Sequence, residues 1–223
     1  MPRSADDADA PDAGVPREHF DVLYEGSSDP WNLRSAWYER RKYAITVAAL
    51  PRERYRSGLE PGCSIGELTR LLAARCDRLL AFDFAESAVD SARRAVVGMP
   101  HVAVERHALP AGLPPGSFDL IVLSEVLYYL SAPDLARTVD AMTARLDVGG
   151  DLVAVHHRAR DRCYGYDGHN VHAALAACRE LYEVARYDDD DFTLQVLRKA
   201  AVKGDDGVNA GNDPGPGSGS AGS

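Results

Sequence analysis

Between Gly58 and Val155 the chain keeps switching its hydrophobic period. Short apolar runs bounded by turn residues alternate with stretches whose apolar residues recur every three or four positions. Arg78–Asp83, Val102–Val104, Phe118–Leu123 and Leu152–Val155 read as strands, and Gly58–Glu60 as the end of another. Tyr38–Leu50, stopped by Pro51, is helical in spacing, as are the segment opening at Gly66, Ser87–Val97, and Leu135–Leu146, which Gly149-Gly150 is expected to close. Few architectures accept such an order. Strands that each feed a helix pair in parallel, and the helices must cover both faces of the sheet. After Leu181 the pattern changes: Leu181–Ala185 and Phe192–Leu197 flank an Asp188–Asp191 turn with no helix between them, which predicts an antiparallel hairpin with a solvated acidic turn. The expected fold is therefore α/β, a doubly wound Rossmann-like sheet, mostly parallel, with a C-terminal antiparallel hairpin.

Both ends depart from this pattern. Residues 1–15 are rich in Ala, Asp and Pro, and residues 201–223 in Gly, Ser and Pro, so both are expected to be disordered around one domain at 16–200. The net charge of −9 leaves no surplus of Lys and Arg to displace counterions, which argues against nucleic acid as a partner, although Trp37–Lys42 is locally basic. No apolar run is long enough to span a bilayer, and no signal-peptide pattern precedes the domain. Cys63, Cys76, Cys163 and Cys178 form no close pair and no metal-ligand spacing with the histidines, so no metal site is expected. Reduced thiols in a cytoplasmic protein are the expectation. No feature specifies an oligomeric state.

The chemistry concentrates at strand ends. In Leu59–Gly66 a strand turns through Gly62-Cys63-Ser64-Ile65-Gly66 directly into a helix. The glycines are expected to admit a ligand close to the backbone, with helix N-terminal amides facing it. The spacing is not the G-x-G-x-x-G of a pyrophosphate site. Glu60 would repel a pyrophosphate but suits the ammonium of an amino-acid moiety. Asp83 closes the next strand, where a carboxylate can take both ribose hydroxyls of a nucleoside; the competing reading is a cap for the following helix. Phe84 either lies against the base or joins the core. Ser124-Glu125 follows the apolar strand, at the crevice where open α/β sheets bind ligands.

These runs resemble class I S-adenosylmethionine (SAM) methyltransferases, with Glu60–Gly66 as the cofactor loop and Asp83 as the ribose acid. More narrowly, Asp29-Pro30-Trp31, Trp37–Tyr43, Glu60–Gly66 and Phe118–Leu130 resemble the nodulation protein S group, over about Phe20 to Arg198. The resemblance implies a seven-stranded sheet, SAM as cofactor, and N-methylation of an amino sugar, a small-molecule partner such as a deacetylated chitooligosaccharide; an O-methyltransferase of sugars or natural products is the alternative. It further implies an N-terminal helical lid at 16–50, with Trp31, Trp37 and Tyr38 over the methionine end and Arg41 on its carboxylate. The same segment also reads as an amphipathic helix that packs its tryptophans on the sheet edge. One departure stands out. In His107-Ala108-Leu109-Pro110, Ala108 replaces the acid that the group often directs at the adenine amino group, leaving adenine to backbone amides or to His107.

Methyl transfer needs in-line placement and an unprotonated amine more than it needs a strong base. Candidate bases are Glu125, Tyr128, His156 and His157, with His169 beyond. Adjacent strand residues face opposite ways, so at most one of His156 and His157 is expected in the pocket. Tyr164, Tyr166, Asp167 and His169 form a loop suited to a sugar.

Overall fold

The computed structural model describes residues 14–158 and 168–201. Residues 1–13 and 202–223 of the two ends expected to be disordered, Cys163, and the loop with Tyr164, Tyr166 and Asp167 lie outside the described residues, as does the side chain of His169; Gly14 and Val15, expected in the disordered end, are described.

Seven strands form one mixed sheet: β1 Gly58–Pro61, β2 Leu79–Asp83, β3 Val102–Arg106, β4 Phe118–Ser124, β5 Leu146–His157, β6 Leu181–Asp188 and β7 Phe192–Lys199. Their spatial order is β3-β2-β1-β4-β5-β7-β6. The first five run parallel, while β7 inserts antiparallel between β5 and β6. The predicted hairpin is thus present, and its second strand is the one that joins the parallel sheet. The central strand β4 is buried along Phe118–Leu123 and β5 along Gly150–His156, as continuous apolar strands covered on both faces should be.

Helices α1 Arg17–Gly26, α2 Trp37–Ala48, α3 Glu67–Ala73, α4 Glu86–Ala95, α5 Ala132–Arg145 and α6 Gly168–Ala176 complete the fold. One core face gathers Ile121, Leu123, Met142, Leu152 and Leu175 beneath α5 and α6; the other gathers Tyr43, Leu72, Leu120, Val122, Val153 and Leu194 beneath α2 and α3. Helix α5 starts where Ser131 accepts a hydrogen bond from the Asp134 amide at 3.3 Å, with proline in its first turn.

Gly149-Gly150 does not close that helix. The chain passes from Arg145 straight into β5, and both glycines lie within the strand, where the register against β4 shifts between Phe118 and Leu120. Gly149 has φ +76°, and a Cβ on Gly150 would lie 2.8 Å from the Asp147 carbonyl oxygen, so the pair makes an irregularity in the strand.

Candidate active site

A cavity of about 650 Å³ opens at the carboxyl ends of β1, β2 and β4, the crevice position of an open α/β sheet. Residues 14–31 cross its mouth. The Val15 amide donates to the Tyr129 carbonyl at 2.8 Å, Phe20 meets Phe84 and Tyr129 edge-on at 5.4 and 4.8 Å, and Trp31 stands against Tyr24 at 5.6 Å. Trp31 therefore lines the cavity through an aromatic cluster built on α1. The periodic reading names no helix there; α1 falls within the helical segment at 16–50 that the family resemblance implies, with Phe20 as its buried residue.

The β1–α3 loop is built differently from expectation. Its amides serve the protein: Gly62 and Cys63 donate to the Phe82 carbonyl at 2.8 and 3.0 Å, Ser64 to Asp83 Oδ2 at 2.9 Å, and Gly66 to the Cys63 carbonyl at 2.9 Å. The two glycines likewise answer to packing. A Cβ on Gly62 would lie 2.8 Å from Val126 Cγ2, and one on Gly66, at φ +85°, would lie 2.9 Å from Ala92 Cα in α4. Gly62 still lines the cavity; Gly66 does not, so its place is the α3–α4 contact. What the loop turns toward the cavity includes Ser64, whose hydroxyl shares a 2.7 Å hydrogen bond with Tyr24, and Cys63, whose thiol burial pushes far up and keeps protonated.

Two carboxylates stand side by side on neighbouring strands. Glu60 is 2% exposed, its Oε2 has no hydrogen-bond partner among the described residues, and burial pushes its carboxyl up to about 8. A buried acceptor without a donor calls for an incoming cation or N–H. Asp83 accepts from the amides of Ala85 at 3.0 Å and Ser64 at 2.9 Å, and burial raises its carboxyl against the pull of those amides. It does not cap α4, whose N-cap is Ala85. The Phe84 amide also draws on the Asp83 carboxylate, so of about four lone-pair positions a part remains for a ribose hydroxyl. Phe84, His107, Ala108 and Leu109 continue the wall beyond it. His107 shares a hydrogen bond with Glu105 at 2.7 Å and lies edge-on to Phe82.

At the end of β4, Ser124, Glu125 and Tyr128 all line the cavity. Glu125 has φ +56°, a left-handed conformation that a non-glycine residue holds only when its surroundings enforce it. Its amide donates to the Val155 carbonyl at 2.8 Å. Its carboxylate receives Lys42 Nζ at 2.9 Å and the Tyr38 hydroxyl at 3.2 Å on Oε1, and the His157 amide at 3.2 Å and the Tyr128 hydroxyl on Oε2. Lys42 was not singled out from sequence. One turn of α2 brings Tyr38, Glu39 and Lys42 onto the cavity side, so a segment that reads as basic delivers a buried ion cluster.

Three candidates fall elsewhere. Arg41 leaves the cavity: its guanidinium pairs with Asp189 and Asp191 and donates to the Tyr187 hydroxyl, so it ties α2 to the β6–β7 turn. The acidic turn is correspondingly an anchor as well as a solvated bend. Trp37 is 70% exposed, with the Arg40 guanidinium over its ring, and covers neither cavity nor sheet. His156 points away from the cavity, into the core. Its Nε2 receives the Leu127 amide at 3.4 Å, its Nδ1 meets His172 Nε2 at 3.4 Å, and burial holds the imidazole neutral. Its neighbour His157 takes the cavity side, as strand alternation requires.

The sequence profile of nodulation protein S (NodS) matches residues 20–183. The chain belongs to that family. Nodulation protein S of Rhizobium tropici is 33% identical over 129 residues, covering 57% of this chain and 54% of that protein. The chain spans about half the length of the curated relatives it matches. Among solved structures, the N-methyltransferase of the family from Bradyrhizobium japonicum WM9, in complex with S-adenosyl-L-homocysteine, is 27% identical with a TM-score of 0.74, covering 82% of this chain and 97% of that one. A Pseudomonas syringae protein is 43% identical with a TM-score of 0.66, covering 74% of this chain and 100% of that one. The seven-stranded sheet with its antiparallel C-terminal hairpin is the family's Rossmann-like methyltransferase fold. Among the described residues no three His, Cys, Asp or Glu side chains could hold a metal ion, and no helix is long and apolar enough to cross a membrane.

Proposed function

We propose that this chain is a cytoplasmic SAM-dependent methyltransferase that N-methylates a small-molecule amine, most specifically the amine of an amino sugar or deacetylated oligosaccharide. The observation that carries the reading is the pair of buried carboxyl groups at adjacent strand ends in one cavity: Glu60, whose Oε2 has no donor within hydrogen-bond distance among the described residues, and Asp83, whose acceptor capacity is only partly spent on backbone amides. Glu60 would hold the ammonium of the methionine part and Asp83 the ribose hydroxyls. Phe84 would face the adenine, with His107, Ala108 and Leu109 at its edge. Gly62, Cys63, Ser64 and Ser124 would form the floor, and Trp31 within the segment 16–50 the cover. Bound there, SAM supplies an electrophilic methyl on a cationic sulfur.

The charge of the cavity agrees. Glu39, Asp83, Glu125 and Asp134, with Glu60 once it ionises, line it against the two permanent cations Arg17 and Lys42, which favours cationic ligands over phosphorylated ones. Nitrogen as the acceptor atom rests on the N-methyltransferase relative from Bradyrhizobium japonicum.

Calorimetry with S-adenosylhomocysteine tests the cofactor. Asp83→Ala is expected to weaken binding at least tenfold, or about 1.4 kcal/mol; unchanged affinity would overturn the ribose assignment. Labelled SAM offered with amino sugars, deacetylated chitooligosaccharides and hydroxyl analogues tests the acceptor, and methylation of hydroxyl compounds alone would refute the nitrogen preference.

A further inference from the structure

Lys42 is 1% exposed, yet its ammonium sits at the wall of a solvent-reachable cavity between carboxylates from two elements. Its Nζ lies 2.9 Å from Glu125 Oε1, 3.1 and 2.9 Å from the oxygens of Glu39, and 4.5 Å from the centre of the Tyr38 ring. Burying such charges is costly, and a well-packed apolar replacement is often as stable, so the cluster is poorly explained as a device for stability. Glu125 is also ill suited to be the base that its position suggests. Four protein donors occupy its four lone-pair positions, which leaves no place for a proton from the acceptor. What the arrangement does do is hold one phenol. Tyr38 donates its proton to Glu125, its ring is backed by the Lys42 ammonium, and its edge-on contacts with His157 and Phe192, at 5.5 and 6.2 Å, fix the ring plane. With its proton turned toward Glu125, its oxygen is left as an acceptor on a residue that lines the cavity.

We infer that the Tyr38 hydroxyl oxygen receives an N–H of the acceptor amine, and that Lys42 is the positioning residue that holds Glu125, and through it Tyr38, in the receiving orientation. This deepens the N-methyltransferase reading and rests on it; it also moves Tyr38 from the cofactor's cover to the acceptor's side. The amine enters neutral, its proton left with water. With one N–H donated to Tyr38, the nitrogen lone pair is free to bond the methyl carbon as the carbon–sulfur bond breaks, the electron pair staying on sulfur. The resulting N-methylammonium gives its extra proton to water.

The groups facing Glu125 are Lys42, Glu39, Tyr38 and Tyr43 from α2, Tyr128 after β4, and His157 from β5. Removing the one cation among them takes away a contact that holds the carboxylate in place for Tyr38. The test uses fully deacetylated chitotetraose with the full chain. Tyr38→Phe is expected to lower kcat at least tenfold and to weaken chitotetraose binding to the S-adenosylhomocysteine complex at least fivefold, with S-adenosylhomocysteine affinity itself unchanged within twofold. Lys42→Met is expected to lower kcat at least fivefold with S-adenosylhomocysteine affinity unchanged within twofold, and Lys42→Arg to restore turnover in large part. Wild-type turnover on chitotetraose with Tyr38→Phe equally active, or with its loss matched by lost S-adenosylhomocysteine affinity, would overturn this inference alone. A wild-type protein that binds S-adenosylhomocysteine but methylates only hydroxyl acceptors would overturn the N-methyltransferase reading and this inference with it.

Discussion

At the scale of single residues, Glu60 makes the sharpest demand on a ligand. An acid whose folded value is pushed up to about 8 by burial is mostly protonated at pH 7 when nothing faces it. An arriving ammonium favours the ionised form, so binding must expel a proton near neutrality. Affinity for S-adenosylhomocysteine is therefore expected to rise with pH up to about 8. Calorimetry at pH 7 in buffers of different ionisation enthalpy should register release of up to roughly one proton. Glu60→Gln should abolish the release and weaken binding at least tenfold; proton release that survives in the variant would place the ammonium elsewhere. Glu60 and Asp83 were readable from sequence because each ends an apolar strand, and β geometry leaves such residues at one edge of the sheet. Lys42 was not, because a lysine among Arg40 and Arg41 on a helix resembles any solvated face until the contact with Glu125, 83 positions away, turns it inward.

Among the elements, the β1–α3–β2–α4 unit shows how the cavity is kept in shape. Gly66 serves two constraints together, the left-handed turn that starts α3 and the close approach of that turn to Ala92. Gly66→Ala is expected to cost about 2–4 kcal/mol in urea unfolding, from adding about 1–2 kcal/mol of left-handed strain to overpacking of similar size. A loss below 1 kcal/mol would mean that the helices can slide apart. The central strands and helices α4 and α5 were legible because their hydrophobic periods are clean. Helix α1 entered only as part of the helical segment at 16–50 that the family resemblance implies, and the Gly149-Gly150 pair was misjudged because a strand irregularity and a helix terminus ask for the same residue.

For the whole molecule, Asp119 joins the two halves of the sheet. Its carboxylate receives the amides of Arg56 at 3.0 Å and Ser57 at 2.8 Å, which pins the approach to β1 onto the start of β4, and those donors outweigh burial to hold it below the usual carboxylate range. A carboxyl lowered in the folded state stabilises it above the unfolded value, near 4, and ceases to do so as pH falls through the folded one. Wild type should exceed Asp119→Asn in stability by about 1 kcal/mol or more at pH 7, and the gap should narrow as pH falls below about 4 in denaturant titrations. A gap independent of pH would assign the effect to packing.

The insertion of β7 between β5 and β6 has a consequence for how such a chain is made. Until the ribosome has released Phe192–Lys199, β5 carries a bare row of amides and carbonyls along Asp151–His157, and Glu125 and His157 depend on a strand with only one neighbour. A nascent or truncated chain that stops short of the hairpin would expose a sticky edge together with an unfinished cavity wall, so shielding against aggregation and completion of the pocket arrive in the same late event.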